Sequence, residues 1–200
     1  MESGRFEEVV NQLNGFMALP FDVPVVFKEC KTSNAFYDPE NKQIEICYEF
    51  VDKIALDVAE VTETEDDIKR VSVDVLLFIF NHELGHALID IYGLPVTGRE
   101  EDAADQLSMI ALVWTTEGGE EAVIHGAHWL LSRAGKTELD ESAFADKHAL
   151  DTQRFYNLVC WVYGNNPQAY SYIVENEYLP GKRAEECEAE YSRVSNSWNA

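Results

Sequence analysis

The chain has 200 residues, 46% hydrophobic and 26% charged, which is enough apolar material for a buried core and excludes wholesale disorder. Its 15 Lys and Arg stand against 37 Asp and Glu, a formal charge of −22, so most of the surface would repel phosphate backbones and anionic lipid. Nucleic-acid and membrane partners are therefore not expected, and the longest apolar run, Val75 to Phe80, falls far short of the roughly 18 residues of a membrane-spanning helix.

In chain order, Phe6, Val9, Val10 and Leu13, with Phe16 or Met17, share one side at helical spacing and predict a helix over 5–19. Val23 to Phe27 is apolar and β-branched, Asn34 to Tyr37 is short, and Gln43 to Tyr48 alternates Ile44, Ile46 and Tyr48 with polar residues. Asp38-Pro39-Glu40-Asn41-Lys42 between the last two is a turn signal, so 23–48 reads as a small antiparallel hairpin or sheet. From Glu49 onward helices are expected over 49–60, 66–92, 97–116, 119–134, 142–163, 167–177 and 181–198. Gly93-Leu94-Pro95 stops the second of these, and Thr97 with Glu100 three residues later fits a capping box that starts the third. The fold class is α+β: a small N-terminal antiparallel sheet and a mostly helical body.

Cys30, Cys47, Cys160 and Cys187 include no close zinc-type pair. Pairing Cys30 with Cys47 and Cys160 with Cys187 gives two non-crossing disulfides that suit a secreted or periplasmic protein; four reduced thiols in the cytosol are the alternative. The first residues, MESGRFEEVV, show no basic region followed by an apolar core, so the exported form is expected with its signal peptide already removed.

The chemistry concentrates in His82-Glu83-Leu84-Gly85-His86. At about 100° per residue, His82 and His86 stand one helical turn apart on one face, and their imidazoles can converge on one ion. Glu83 then points to the side where a metal-bound water would sit and can take its proton. The preceding Val75-Leu76-Leu77-Phe78-Ile79-Phe80 is apolar all round, so this helix is buried and its polar groups need partners. After the short turn comes Arg99-Glu100-Glu101-Asp102-Ala103-Ala104-Asp105 on the next helix, which must run antiparallel to the first. If Glu101 meets the ion beside His86, Asp105 one turn on is carried toward His82, where it can accept the other imidazole N–H and fix the tautomer. Glu100 competes as the ligand, but the capping box assigns it to the helix start.

HExxH followed by a helix carrying ExxxD resembles the thermolysin-like gluzincins, and Asn34-Ala35-Phe36-Tyr37-Asp38 resembles the substrate-binding edge strand that precedes their zinc helix. The resemblance implies a zincin-like domain over 1–200, with the hairpin at 23–48, a zinc-binding helix pair at 66–117 and a helical subdomain at 119–200. It also implies that Asn34, Ala35 and Tyr37 hold an extended peptide by β-augmentation. More closely, NAFYDP, HELGHALIDIYGLPVTGREEDAADQ, DTQRFYNLVCWVYG and the cysteine pattern resemble a bacterial metallopeptidase family of little assigned function, from about residue 25 onward. The interval from His86 to Glu101 is shorter than in thermolysin, Ala104 replaces the usual Ser, and the chain is far shorter, so calcium sites and a large C-terminal lobe are not implied.

Amide hydrolysis also needs a donor for the developing oxyanion. His148, oriented by Asp151 on a helix, and Arg154 are the candidates; His125 and His128 read as ordinary helix residues. The functional expectation is a monomeric zinc metallopeptidase acting on peptides or proteins, with Zn2+ on His82, His86 and Glu101. The alternative is a non-catalytic secreted binding protein whose zinc is structural and closed by a fourth side chain.

Overall fold

The computed structural model describes residues 4–136 and 139–199. In chain order it contains α1 (Gly4–Phe16), β1 (Val25–Lys28), β2 (Ala35–Asp38), β3 (Gln43–Cys47), α2 (Tyr48–Ala59), α3 (Glu65–Tyr92) and α4 (Glu100–Thr115). There follow α5 (Gly119–Ala134), α6 (Glu141–Ala145), α7 (Asp151–Asn165), α8 (Tyr172–Glu175), α9 (Gly181–Ala184) and α10 (Cys187–Trp198). Helices dominate and the one small sheet lies early in the chain, so the α+β class holds.

α3 organises the rest. Every residue from Val73 to Gly85 is buried, as are Ala87, Leu88 and Ile89, because α4, α5, α2, α1 and the sheet all pack on it. Its apolar length would be enough to cross a membrane, yet 89% of that window is buried inside the protein, which accounts for it as core. The Thr64 side chain accepts the Asp67 N–H at 3.1 Å, and Glu65, Asp66 and Asp67 place negative charge at the helix N-terminus. Gly93 at φ +59° ends the helix in the left-handed conformation, and the Leu94 N–H closes back on the Ile89 carbonyl at 2.9 Å.

The sheet departs from the expected antiparallel arrangement in one strand. β2 and β3 form the antiparallel hairpin, with Asp38 Oδ1 accepting the N–H groups of Glu40 (2.9 Å) and Asn41 (3.1 Å) in the turn. β1 instead lies parallel to β3, giving the order β1-β3-β2. The reason is that β3 is buried from Ile44 to Cys47 and takes a neighbour on each side, while the Cys30–Cys47 disulfide ties the end of β1 to the end of β3. Even Glu45, which the alternation assigned to solvent, is buried, paired with the Lys28 ammonium and hydrogen-bonded by the Gln43 amide.

Two expected helices are interrupted. The 142–163 stretch breaks into α6 and α7 around a loop at 146–150, and 181–198 breaks at Glu185 and Glu186 before Cys187, which is bonded to Cys160 on α7. Of 167–177 only α8 is α-helical. Both disulfides suit an oxidising compartment.

α3 and α4 approach so closely that a Cβ on Gly85 would lie 2.8 Å from Ala104 Cα and 3.1 Å from its Cβ. Since both contacts are short and neither helix can move without dislodging the other's polar residues, Gly85→Ala should destabilise the protein by about 1–3 kcal/mol. Denaturant unfolding of both forms measures this, and an unchanged midpoint would contradict such tight packing.

Candidate metal centre

The polar contacts between α3 and α4 descend in order. His86 Nδ1 meets Glu100 Oε1 at 2.7 Å, His82 Nε2 meets Glu101 Oε2 at 3.2 Å, and His82 Nδ1 meets Asp105 Oδ1 at 2.8 Å. One turn further, the Ser108 hydroxyl donates to the Phe78 carbonyl at 2.6 Å. Moving forward along α4 therefore moves backward along α3, as antiparallel neighbours must.

At the centre, three atoms face one another: His82 Nε2 and His86 Nε2 are 3.3 Å apart, and Glu101 Oε2 lies 3.2 Å and 3.3 Å from them. Asp105 and Glu100 are hydrogen-bonded to the two Nδ1 atoms, so in the neutral imidazoles the protons sit on Nδ1 and both Nε2 atoms are acceptors. Three acceptors at this distance need a positive charge between them, which a metal ion supplies or, without one, a proton on His82. Neighbouring ligands of a tetrahedral zinc with bonds of about 2.0–2.1 Å stand about 3.3 Å apart, so the donor set fits such an ion in both chemistry and spacing. Among the described residues, His82, His86 and Glu101 form the group in this centre whose ligand atoms all lie within 4.8 Å of one another.

Burial alone would lower the His82 pKa, but its bonds to Asp105 and Glu101 outweigh that and hold it up at about 9. Burial would raise Glu101; His148, His82, His86 and Lys147 together hold it far below the usual carboxylate range. Asp105 is also held low against its complete burial by the Arg154 guanidinium, whose Nε and Nη2 donate to its two oxygens at 2.8 Å and 2.7 Å, and by His82. Glu83 moves the other way: burial raises its pKa, and the nearby histidines only partly offset this. One of its oxygens, Oε2, accepts the Tyr37 N–H at 2.8 Å.

That bond places the edge strand. Asn34 faces β3, because its carbonyl accepts the Cys47 N–H at 3.1 Å; by alternation Phe36 and Asp38 face β3 as well. The main-chain groups of Ala35 and Tyr37 therefore look away from the sheet, into a cleft of about 1310 Å³ that Asn34, Ala35, Tyr37, His82, Glu83 and His86 help to line. The Tyr37 side chain extends along it to Asp90 Oδ2 at 2.7 Å.

The sequence pattern of a family described as "Putative metallopeptidase" matches residues 1–200. The chain belongs to that family. No curated protein and no solved structure matches the chain. Membership in this family implies a bound metal ion, and among the described residues the centre between α3 and α4 offers donors that suit one.

Other candidate residues lie where the sequence did not put them. His148 is on the 146–150 loop rather than a helix; its Nδ1 pairs with Asp146 at 2.9 Å instead of Asp151, and its Nε2 reaches Glu101 Oε2 at 2.8 Å. Arg154, a candidate oxyanion donor, is buried with its guanidinium on Asp105, and it holds the residue that holds His82. Glu100 is not a capping-box partner: Arg99 occupies the cap without a side-chain bond, and the Glu100 carboxylate goes to His86. Lys147, which no motif marked, forms an ion pair with Glu101 Oε1 at 2.5 Å. His125 binds Asp74 at 2.7 Å, the ordinary structural role expected of it.

Because His82 is held up at about 9, the metal-free protein carries its proton at neutral pH, whereas a ligand imidazole must be neutral. Zinc binding near neutral pH should therefore release at least one proton. Calorimetric titrations in buffers of different ionisation enthalpy count it, and heats that do not depend on the buffer would remove the assignment of His82 as a ligand.

Proposed function

We propose that the protein is a gluzincin-type zinc peptidase in which His82, His86 and Glu101 hold the ion, Glu83 is the general base and Asp105 orients His82. The observation that carries the reading is the convergence of three acceptors on one point with the Glu83 carboxylate beside it, opening on a cleft edged by unpaired strand. When bound, zinc supplies Lewis acidity and lowers the pKa of a water molecule to about 7. Glu83 takes the proton of the attacking water and returns it to the leaving amine; a carboxylate whose pKa burial has raised is suited to hold that proton in between.

The main-chain groups of Ala35 and the Tyr37 carbonyl pair with an extended peptide, and the Asn34 side chain holds it at the mouth of the cleft. His148 has a carboxylate at each ring nitrogen, Asp146 on Nδ1 and Glu101 on Nε2, and in its doubly protonated form is the donor from Nε2 to the developing oxyanion. Arg154 acts behind the site through Asp105. Among the described residues, three side chains in this centre, His82, His86 and Glu101, bring ligand atoms within 4.8 Å of one another, which supports this reading over a structural zinc with four protein ligands. The two disulfides support placing the enzyme outside the cytosol.

Glu83→Gln should keep one zinc per chain by elemental analysis while cleavage of an unstructured protein falls about 10²–10⁴-fold. A variant that cleaves at the wild-type rate would refute the base. Since Glu83 works only when ionised and its pKa is raised, kcat/KM should decline with falling pH through a midpoint above the ordinary glutamate value of about 4.3. A pH profile flat down to that value would remove Glu83 from the mechanism.

A further inference from the structure

The two oxygens of Glu101 are sorted between different partners. Oε2 faces the two Nε2 atoms at 3.2 Å and 3.3 Å, whereas Oε1 is taken by Lys147 Nζ at 2.5 Å. Nothing in α4 dictates this sorting. A carboxylate at a metal binds through one oxygen or two, and a second oxygen would fill the position that a catalytic centre keeps for water. Lys147 comes from the loop between α6 and α7, and the same short segment brings His148 Nε2 to Oε2 at 2.8 Å. That loop therefore addresses each oxygen with a separate side chain. The Lys147 side chain is 72% exposed, so little packing depends on it, and its contact with a Glu101 that is only 6% exposed is the feature to explain.

We propose that Lys147 is a positioning residue of the metal centre: by holding Glu101 Oε1 it leaves Oε2 alone to the ion and keeps one coordination position open. The inference rests on the proposed metal site. It assigns to an exposed lysine, rather than to a buried residue, the control of how many atoms the protein gives the metal. An arginine can replace it, because the need is for a cationic donor on one oxygen.

The test uses the whole chain, stripped with chelator and titrated with cobalt(II), whose visible absorption is intense when four-coordinate and weak when the coordination number rises. The wild type should bind one cobalt with the intense spectrum. Lys147→Met should lose most of that intensity as the freed second oxygen raises the coordination number, while still binding one cobalt and keeping an unchanged far-ultraviolet circular dichroism spectrum. Lys147→Arg should restore the intense spectrum. If Lys147→Met gives the wild-type spectrum, the inference is overturned while the metal site stands. If the wild type takes up no cobalt, the metal site fails and the inference with it.

Discussion

A line of alternating charge runs through the most apolar part of the chain, from Arg154 to Asp105 to His82 to Glu101, and the site depends on it. All four side chains are buried, and an isolated charge there would cost several kcal/mol. Each group is tolerated because the next has the opposite sign and lies at hydrogen-bond distance. The arrangement also orders the elements. α7 brings Arg154, α4 brings Asp105 and Glu101, and α3 brings His82, so the three helices can pack in one way without leaving a charge unpaired. Buried carboxylates elsewhere follow the same rule: Glu45 pairs with Lys28, Asp57 with Lys53, and Asp74 with Arg5 and His125.

The helix pair was legible because helical geometry leaves little freedom. Once His82 and His86 share a face and a short turn reverses the chain, Glu101 and Asp105 can only fall where they do. Gly85 against Ala104 is the same logic in packing form. Other features were not readable, and the causes differ. Arg154 finds Asp105 across 49 residues, and no local pattern announces such a partner. Glu100 had two candidate roles, and the capping box was the wrong one because the helix is capped at Arg99, two residues later than Thr97 implied.

The loop at 146–150 shows a further limit. Its residues have the spacing of a helix, and periodicity alone joined α6 to α7. The buried Glu101 carboxylate offers Lys147 and His148 better partners than a continued helix would, so tertiary contacts override local preference. The parallel β1 has a comparable origin: β3 is buried on both faces and takes two neighbours, and its direction relative to each follows from the path of the chain.

The bond from the Tyr37 N–H to Glu83 couples β2 mechanically to the proposed base. A peptide bound along β2 as proposed would be measured from the same backbone amide that anchors the carboxylate. Because strands repeat every second residue, such a chain can slip only in steps of two without exchanging its faces. Under the proposed function, phase along the strand would select the scissile bond first, and side-chain pockets would choose among the bonds that this phase admits.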